Sequence, residues 1–203
     1  MGLRLGIDID GVLADFRTAF KNTARECLRR DVLVESGDDK ATVDPLDIER
    51  VWNHIARTPN WWMGVRAYEP ADIAQLYALT RSAKWEVCFL TKRPATAGLS
   101  AQVQSQRWLA ERGFERPSAY VVKGSRGLIA AALDLDVVVD DRAESCRDVI
   151  AESRARAILV CRNRSPQQSL AVQRLGIGVV RTVDECLARL GEIETLGRTA
   201  APA

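Results

Sequence analysis

Leu3, Leu5, Ile7 and Ile9 alternate with Arg4, Gly6, Asp8 and Asp10, and Gly11-Val12 follows. An apolar residue at every second position is the period of a β-strand. Side chains two apart leave a strand on the same side, so Asp8 and Asp10 share a face where this strand ends. Gly11 permits a turn with positive φ directly afterwards. Two neighbouring carboxylates repel unless a cation or a proton lies between them. The pattern therefore reads in two ways. One is a cation-binding, nucleophilic pair at the mouth of a sheet; the other is a half-solvated strand running into an Asp-Gly turn.

The rest of the chain bears on that choice. At 203 residues it is one domain, or one domain with an insertion, and long enough for a full core. The formal net charge of +2 is close to neutral and argues against general nucleic-acid binding. No apolar run nears the roughly 20 residues that span a bilayer, and no secretory leader is visible. The five cysteines (Cys27, Cys88, Cys146, Cys161 and Cys186) are odd in number and dispersed, with no Cys-x-x-Cys pair. A disulfide framework is not expected, and a cytoplasmic location is. The single histidine, His54, rules out a multi-histidine metal site within one chain, and no nucleophile elbow accompanies it. A Gly-rich loop ending in Gly-Lys-Ser/Thr, the mark of a phosphate-transferring P-loop, is also missing.

Beyond the first strand, helical spacing predicts a helix over 14–30, a loop over 31–45 and a second helix over 46–57. Thr58-Pro59-Asn60 breaks that helix, and the apolar cluster Trp61-Trp62-Met63-Gly64 follows. From residue 70 strands and helices alternate. Strands are expected at 85–90, 118–122, 136–139, 157–161 and 179–180. Helices are expected at 70–82, 99–112, 127–133, 143–152, 168–174 and 184–190. Continuous β-branched runs such as Val137-Val138-Val139 suit strands covered on both faces. The fold class is α/β, a Rossmann-like parallel sheet with helices on both faces. The interval between the first two strands exceeds a simple βαβ unit by roughly 40 residues. This surplus reads as a small helical cap over the strand ends. The organisation expected is a core of 1–15 and 70–196, a cap insertion of 16–69, and a frayed tail of 197–203.

A parallel sheet gathers its strand ends on one edge, where ligands bind. Asp8-Ile9-Asp10 would meet Thr91-Lys92-Arg93, Lys123 and Asp140-Asp141 there. Each has an ordinary explanation: Asp141 with Glu144 fits a helix capping box, Thr91 a turn, Lys123 a solvated lysine. Arriving together after successive apolar strands, they fit phosphoryl chemistry. A carboxylate attacks phosphorus, a second carboxyl group serves the leaving oxygen, and oxygen ligands hold Mg²⁺. A lysine and a hydroxyl hold the phosphoryl oxygens.

Asp8-Ile9-Asp10-Gly11-Val12-Leu13-Ala14-Asp15-Phe16, then Phe89-Leu90-Thr91, Lys123 and Val139-Asp140-Asp141, resembles the haloacid dehalogenase-like hydrolase superfamily, with its signatures in order. The resemblance implies a phosphatase with Asp8 as nucleophile, Asp10 as general acid/base and Lys123 orienting the phosphoryl group on Thr91. Mg²⁺ would be held by Asp8, the Asp10 carbonyl and the Asp140-Asp141 pair, with Asp141 favoured as the direct ligand. Within the superfamily, Asp-Gly-Val-Leu-Ala-Asp-Phe and Asp-Asp-Arg are similar to the 5'(3')-deoxyribonucleotidases. That similarity implies a nucleoside 5'-monophosphate whose base lies against Phe16, Trp61 and Trp62. The chain departs from that group after Thr91, where Lys92 and Arg93 are candidates for phosphate contacts. The alternatives are a sugar phosphate, a phosphorylated nucleic-acid end, or a silent binding module. The expected partner is thus a small phosphorylated metabolite, with no specific nucleic acid and no membrane, for a monomer or homodimer.

Overall fold

A computed structural model describes residues 2–29, 44–162 and 166–199. The loop expected over 31–45 falls almost wholly outside these residues, as does the end of the tail at 200–203.

Six parallel strands form one sheet: β1 (Arg4–Asp8), β2 (Glu86–Thr91), β3 (Ser118–Val121), β4 (Val137–Asp140), β5 (Arg156–Val160) and β6 (Gly178–Val180). Their spatial order is β3-β2-β1-β4-β5-β6. The chain winds outward from β1 to one edge and then returns to place β4 against the other side of β1. This reversal is the switch point at which α/β sheets open a crevice beyond their strand ends. In register, Ile7 pairs with Val139, so Asp8 and Asp140 stand level on adjacent strands.

The alternation along β1 does not mark a solvated face. Gly6 and Asp8 are buried along with Leu5 and Ile7, because helices cover both sides of the sheet. Successive residues feed two separate cores. Val137, Val139, Ile158 and Val160 join Leu5, Ile7, Trp108 and Leu187. Val138, Ala157 and Leu159 join Ala130, Cys146 and Val149. The first core is covered by α3 (Pro70–Ser82), α4 (Ala101–Ala110) and α8 (Val183–Thr199). The second is covered by α5 (Arg126–Ala132), α6 (Ala143–Glu152) and α7 (Pro166–Gln173). Polar residues beginning several of these helices act as caps. Ser100 accepts from the Val103 amide and Ser125 from the amides of Gly127 and Leu128. Helix α8 runs well past the expected stop at residue 190, because Gly191 lies within a helix whose preceding residues pack on the sheet.

Between β1 and α3 lie α1 (Phe16–Leu28), α2 (Pro45–Arg57) and a 3-10 turn, Trp61–Gly64. Asp15 caps α1, and Asp44 with Pro45 opens α2. The two helices share a small core of Phe20, Ala24, Val51 and Ile55. The 3-10 turn is fixed elsewhere. The Trp62 amide donates to Gln104 Oε1 at 3.1 Å, and its indole N–H donates to the Pro94 carbonyl at 2.9 Å. The Trp108 indole of α4 reaches back to the Val65 carbonyl at 2.6 Å. All five cysteines are free thiols, and Cys146, Cys161 and Cys186 are buried. Among the described residues no helix is long and apolar enough to cross a membrane.

Candidate active site

Beyond the carboxyl ends of β1, β2 and β4 lies a cavity of about 480 Å³, within the range of small-molecule sites. Asp8, Asp10, Asp140 and Asp141 line it, with Arg126 and Arg93 beside them. Carboxylate oxygens of Asp8, Asp140 and Asp141 all fall within 4.8 Å of one another. Gly11 makes room for this cluster. Its φ is +89°, and a Cβ there would collide with the Asp141 carboxylate.

Asp141 does not cap a helix. The N-cap of α6 is Arg142, and it is Asp140 that accepts from the Arg142 amide at 2.8 Å. The capping-box reading of Asp141 with Glu144 therefore fails, and Asp141 is left to the cavity. Burial pushes Asp141 up to about 7, helped by the charges of Asp140 and Asp10 and opposed by Arg142. Asp8 is also held well above the usual carboxylate range, by burial and then by Asp140, with Arg126 pulling the other way. Asp140 is raised by burial against the opposing pull of Arg126. Three crowded carboxylates that resist ionisation together are what a hard, oxygen-preferring divalent cation relieves. The donor set fits Mg²⁺.

The cation that meets the nucleophile candidate is an arginine. Arg126 Nη2 lies 2.7 Å from Asp8 Oδ1 and 3.1 Å from the Leu90 carbonyl, while Nε lies 3.3 Å from Asp140 Oδ2. The residue is 1% exposed. Its Nη1 is buried without a hydrogen-bond partner among the described residues. Lys123, given this role by its position after β3, is exposed and does not line the cavity. The reason is local. Strand β3 ends at Val121, and Ser125 caps a helix whose first residue is Arg126. Gly127 then lets α5 approach α6 so closely that a Cβ would strike the Asp148 carbonyl. That contact carries Arg126, not Lys123, over the sheet edge. Ser125-Arg126-Gly127, a capping serine followed by a cation and a small residue, was the signal in the sequence.

The Thr91 hydroxyl donates to Asp10 Oδ2 at 2.9 Å. Lys92 lines the cavity and is exposed. Arg93 lines it too, but its guanidinium is engaged by Asp10.

The opposite wall is aromatic. Phe16 stacks on Trp52 at 5.8 Å between ring centroids and on Trp62 at 5.8 Å, and all three line the cavity. Trp61 does not line it. Its indole N–H donates to Thr23 Oγ1 at 3.1 Å, and its ring stands edge-on to Trp62 at 4.8 Å. Trp52, on α2, lines the cavity instead.

The Rossmann-like α/β fold is shared with solved structures of haloacid dehalogenase-like hydrolases. No protein-family model matches the chain, and no curated protein matches it. Solved structures do. A haloacid dehalogenase family hydrolase from Entamoeba histolytica is similar with a TM-score of 0.55 at 13% identity, covering 91% of this chain and 95% of that one. A haloacid dehalogenase-like protein from Streptococcus pneumoniae gives 0.57 at 9% identity, covering 92% and 97%. A protein assigned as a β-phosphoglucomutase from Thermotoga maritima gives 0.56 at 15% identity, covering 94% and 99%.

Proposed function

We propose that the chain is a Mg²⁺-dependent phosphomonoesterase of the haloacid dehalogenase-like superfamily, acting through an aspartyl-phosphate on Asp8. The observation that carries this reading is the convergence of Asp8, Asp140 and Asp141 around one point, with Arg126 on Asp8, at the switch point of the sheet. The segment 16–69 serves as a cap over this site.

In the first step an Asp8 oxygen attacks phosphorus. The bond from phosphorus to the ester oxygen breaks, its electron pair leaves with that oxygen, and Asp10 supplies the proton. In the second step Asp10 takes a proton from water as the water attacks phosphorus, and Asp8 departs as a carboxylate. Asp8, the Asp10 carbonyl and Asp141, supported by Asp140, would hold Mg²⁺, which would supply neutralisation of phosphoryl charge. Arg126 opposes the burial that raises Asp8 and offers Nη1 to a phosphoryl oxygen. Lys92 adds a second cation. Thr91 is fully buried and does not line the cavity, so it serves the site through its bond to Asp10.

The substrate we favour is a nucleoside 5'-monophosphate. Phe16, Trp52 and Trp62 present ring surface opposite the carboxylates, and a nucleobase stacks on such a surface. A sugar phosphate is the second reading, because a structural neighbour is assigned as a sugar-phosphate enzyme. A chromogenic aryl phosphate assayed with Mg²⁺ and with chelator tests the reaction, and a panel of nucleotides and sugar phosphates tests the substrate. Turnover that requires the metal is expected. None with any ester would leave a silent binding module.

A further inference from the structure

Arg93 was a candidate phosphate ligand because an arginine just after a strand end suits an anion. Its surroundings give it a different task. It is 2% exposed, less than the catalytic candidate Asp8 at 7%. Its Nε lies 2.9 Å from Asp10 Oδ2 and its Nη2 lies 2.9 Å from Asp10 Oδ1, a two-pronged grip on the carboxylate. The remaining nitrogen, Nη1, donates to Ser105 Oγ at 3.2 Å. The guanidinium also lies over two rings, 5.0 Å from the centroid of Trp62 and 5.7 Å from that of Trp108. All three of its nitrogens are therefore committed, and its plane is clamped. An arginine held in this way is not free to follow a phosphate.

Taking the phosphatase reading above as its basis, we infer that Arg93 is a positioning residue, which fixes the direction in which the Asp10 carboxyl group faces the leaving oxygen. Asp10 has two lateral supports, Arg93 and the Thr91 hydroxyl. Arg93 is the charged one, and the one that grips both oxygens. Each carboxylate oxygen has two acceptor sites, so Arg93 can grip both oxygens and leave a site on Asp10 for the proton in transit. The planar fork matters here, since a lysine ammonium carries the charge but cannot hold a carboxylate at two points. Ser105 on α4 and Trp62 in the 3-10 turn hold the fork itself, so the acid/base is aligned from both the sheet-covering helix and the segment facing it.

The test separates alignment of an acid from general structural support. Phenol is a poor leaving group, with a pKa of about 10, and needs a proton as it departs. Dinitrophenolate leaves without one. Wild type, Arg93→Lys, Arg93→Gln, Ser105→Ala and Asp10→Asn are compared on phenyl phosphate and 2,4-dinitrophenyl phosphate with Mg²⁺. The quantity read is kcat/KM, which reports only the steps through leaving-group departure. Arg93→Lys and Arg93→Gln are expected to lose about 100-fold on phenyl phosphate, a typical contribution of a positioned acid. On the dinitrophenyl ester they should lose about tenfold less than that, and Asp10→Asn should show the same imbalance. Ser105→Ala, which keeps the charge and both prongs but frees Nη1, should lose about 3- to 10-fold on phenyl phosphate only. Equal losses on both esters in every Arg93 and Ser105 variant that melts like wild type would overturn the inference while leaving the phosphatase reading intact. A wild type with no metal-dependent turnover of either ester would overturn both.

Discussion

Arg126 and Asp8 are joined at 2.7 Å across 118 positions of sequence, and both side chains are almost fully buried. The pairing places a fixed positive charge on the carboxylate proposed as the nucleophile. It also sets the order of effects expected from mutation. Arg126→Ala should lower turnover about 10²- to 10³-fold, the usual cost of deleting one preorganised donor to a reacting group. Lys123→Ala should cost far less. Steady-state rates on an aryl phosphate decide between them, and the reverse order would return the role to the lysine.

Removing Arg126 also leaves Asp8 and Asp140 buried without their cation. Breaking such a pair costs about 3–5 kcal/mol when the surviving group must remain charged. Protons can neutralise the two carboxyl groups at low pH. Thermal melts of Arg126→Ala should therefore fall below wild type by more at pH 8 than at pH 5.

Asp8→Asn should abolish metal-dependent hydrolysis, by on the order of 10⁴-fold or more. Rapid-quench trapping should then recover no phosphorylated protein. Retained activity would remove Asp8 as nucleophile.

Asp141 titrates at about 7 in the metal-free protein against an ordinary value of 3.8. A raised folded-state value means the folded protein holds a proton that the unfolded chain has released. The resulting stabilisation is complete below about 4 and is lost as pH rises through 7. Melting of the metal-free protein should drop across that window. Mg²⁺ competes with the proton, so its apparent affinity should weaken about tenfold per pH unit below 7 and level off above it. Calorimetric titrations in buffers of different ionisation enthalpy would reveal the released proton.

Gly11→Ala combines a φ of +89° with a Cβ aimed at the Asp141 carboxylate. The backbone strain alone is worth about 1–3 kcal/mol. The larger effect should be on metal affinity, because Asp141 must move. A variant that melts lower but binds Mg²⁺ normally would show that Asp141 is not a ligand.

Phe16→Ala and Trp52→Ala should raise KM for nucleotides about 10- to 100-fold, in line with 1–3 kcal/mol per stacked base. KM for glycerol phosphate should change much less. Parallel changes for both substrates would remove the stacking role.

Much of this site was readable before any coordinates, and the limits of that reading follow from distance along the chain. Asp8, Asp10, Thr91, Asp140 and Asp141 follow apolar runs at strand ends, and a parallel sheet brings such positions together by its topology. Where a side chain points once there is a tertiary matter. Thr91 meets Asp10 because Asp10 lies beside it, and nothing within either local sequence says so. Arg126 reaches Asp8 because α5 sits tightly on α6, a contact legible only as a glycine after a capped arginine. Trp52 and Trp61 could not be ranked, since both are aromatics in helical or turn segments. It is the hydrogen bond from Trp61 to Thr23 that holds one of them away from the cavity. The alternation along β1 leaves a half-solvated strand open for a related reason: glycine and aspartate suit solvent, yet here both are covered.

Trp62 is contributed by the segment between the first and second strands, but Gln104, Pro94 and the Arg93 guanidinium hold it to the body of the protein. The aromatic wall is thus a continuous stack held from two sides. Trp62 belongs to the machinery that aligns the acid, while Phe16 and Trp52 rest on two helices with a small core of their own. Variation of α1 and α2 would change the Phe16 and Trp52 faces of the cavity first. Over evolutionary time, changes in ligand preference should accumulate at Phe16 and Trp52, and Trp62 should resist replacement along with the arginine beneath it.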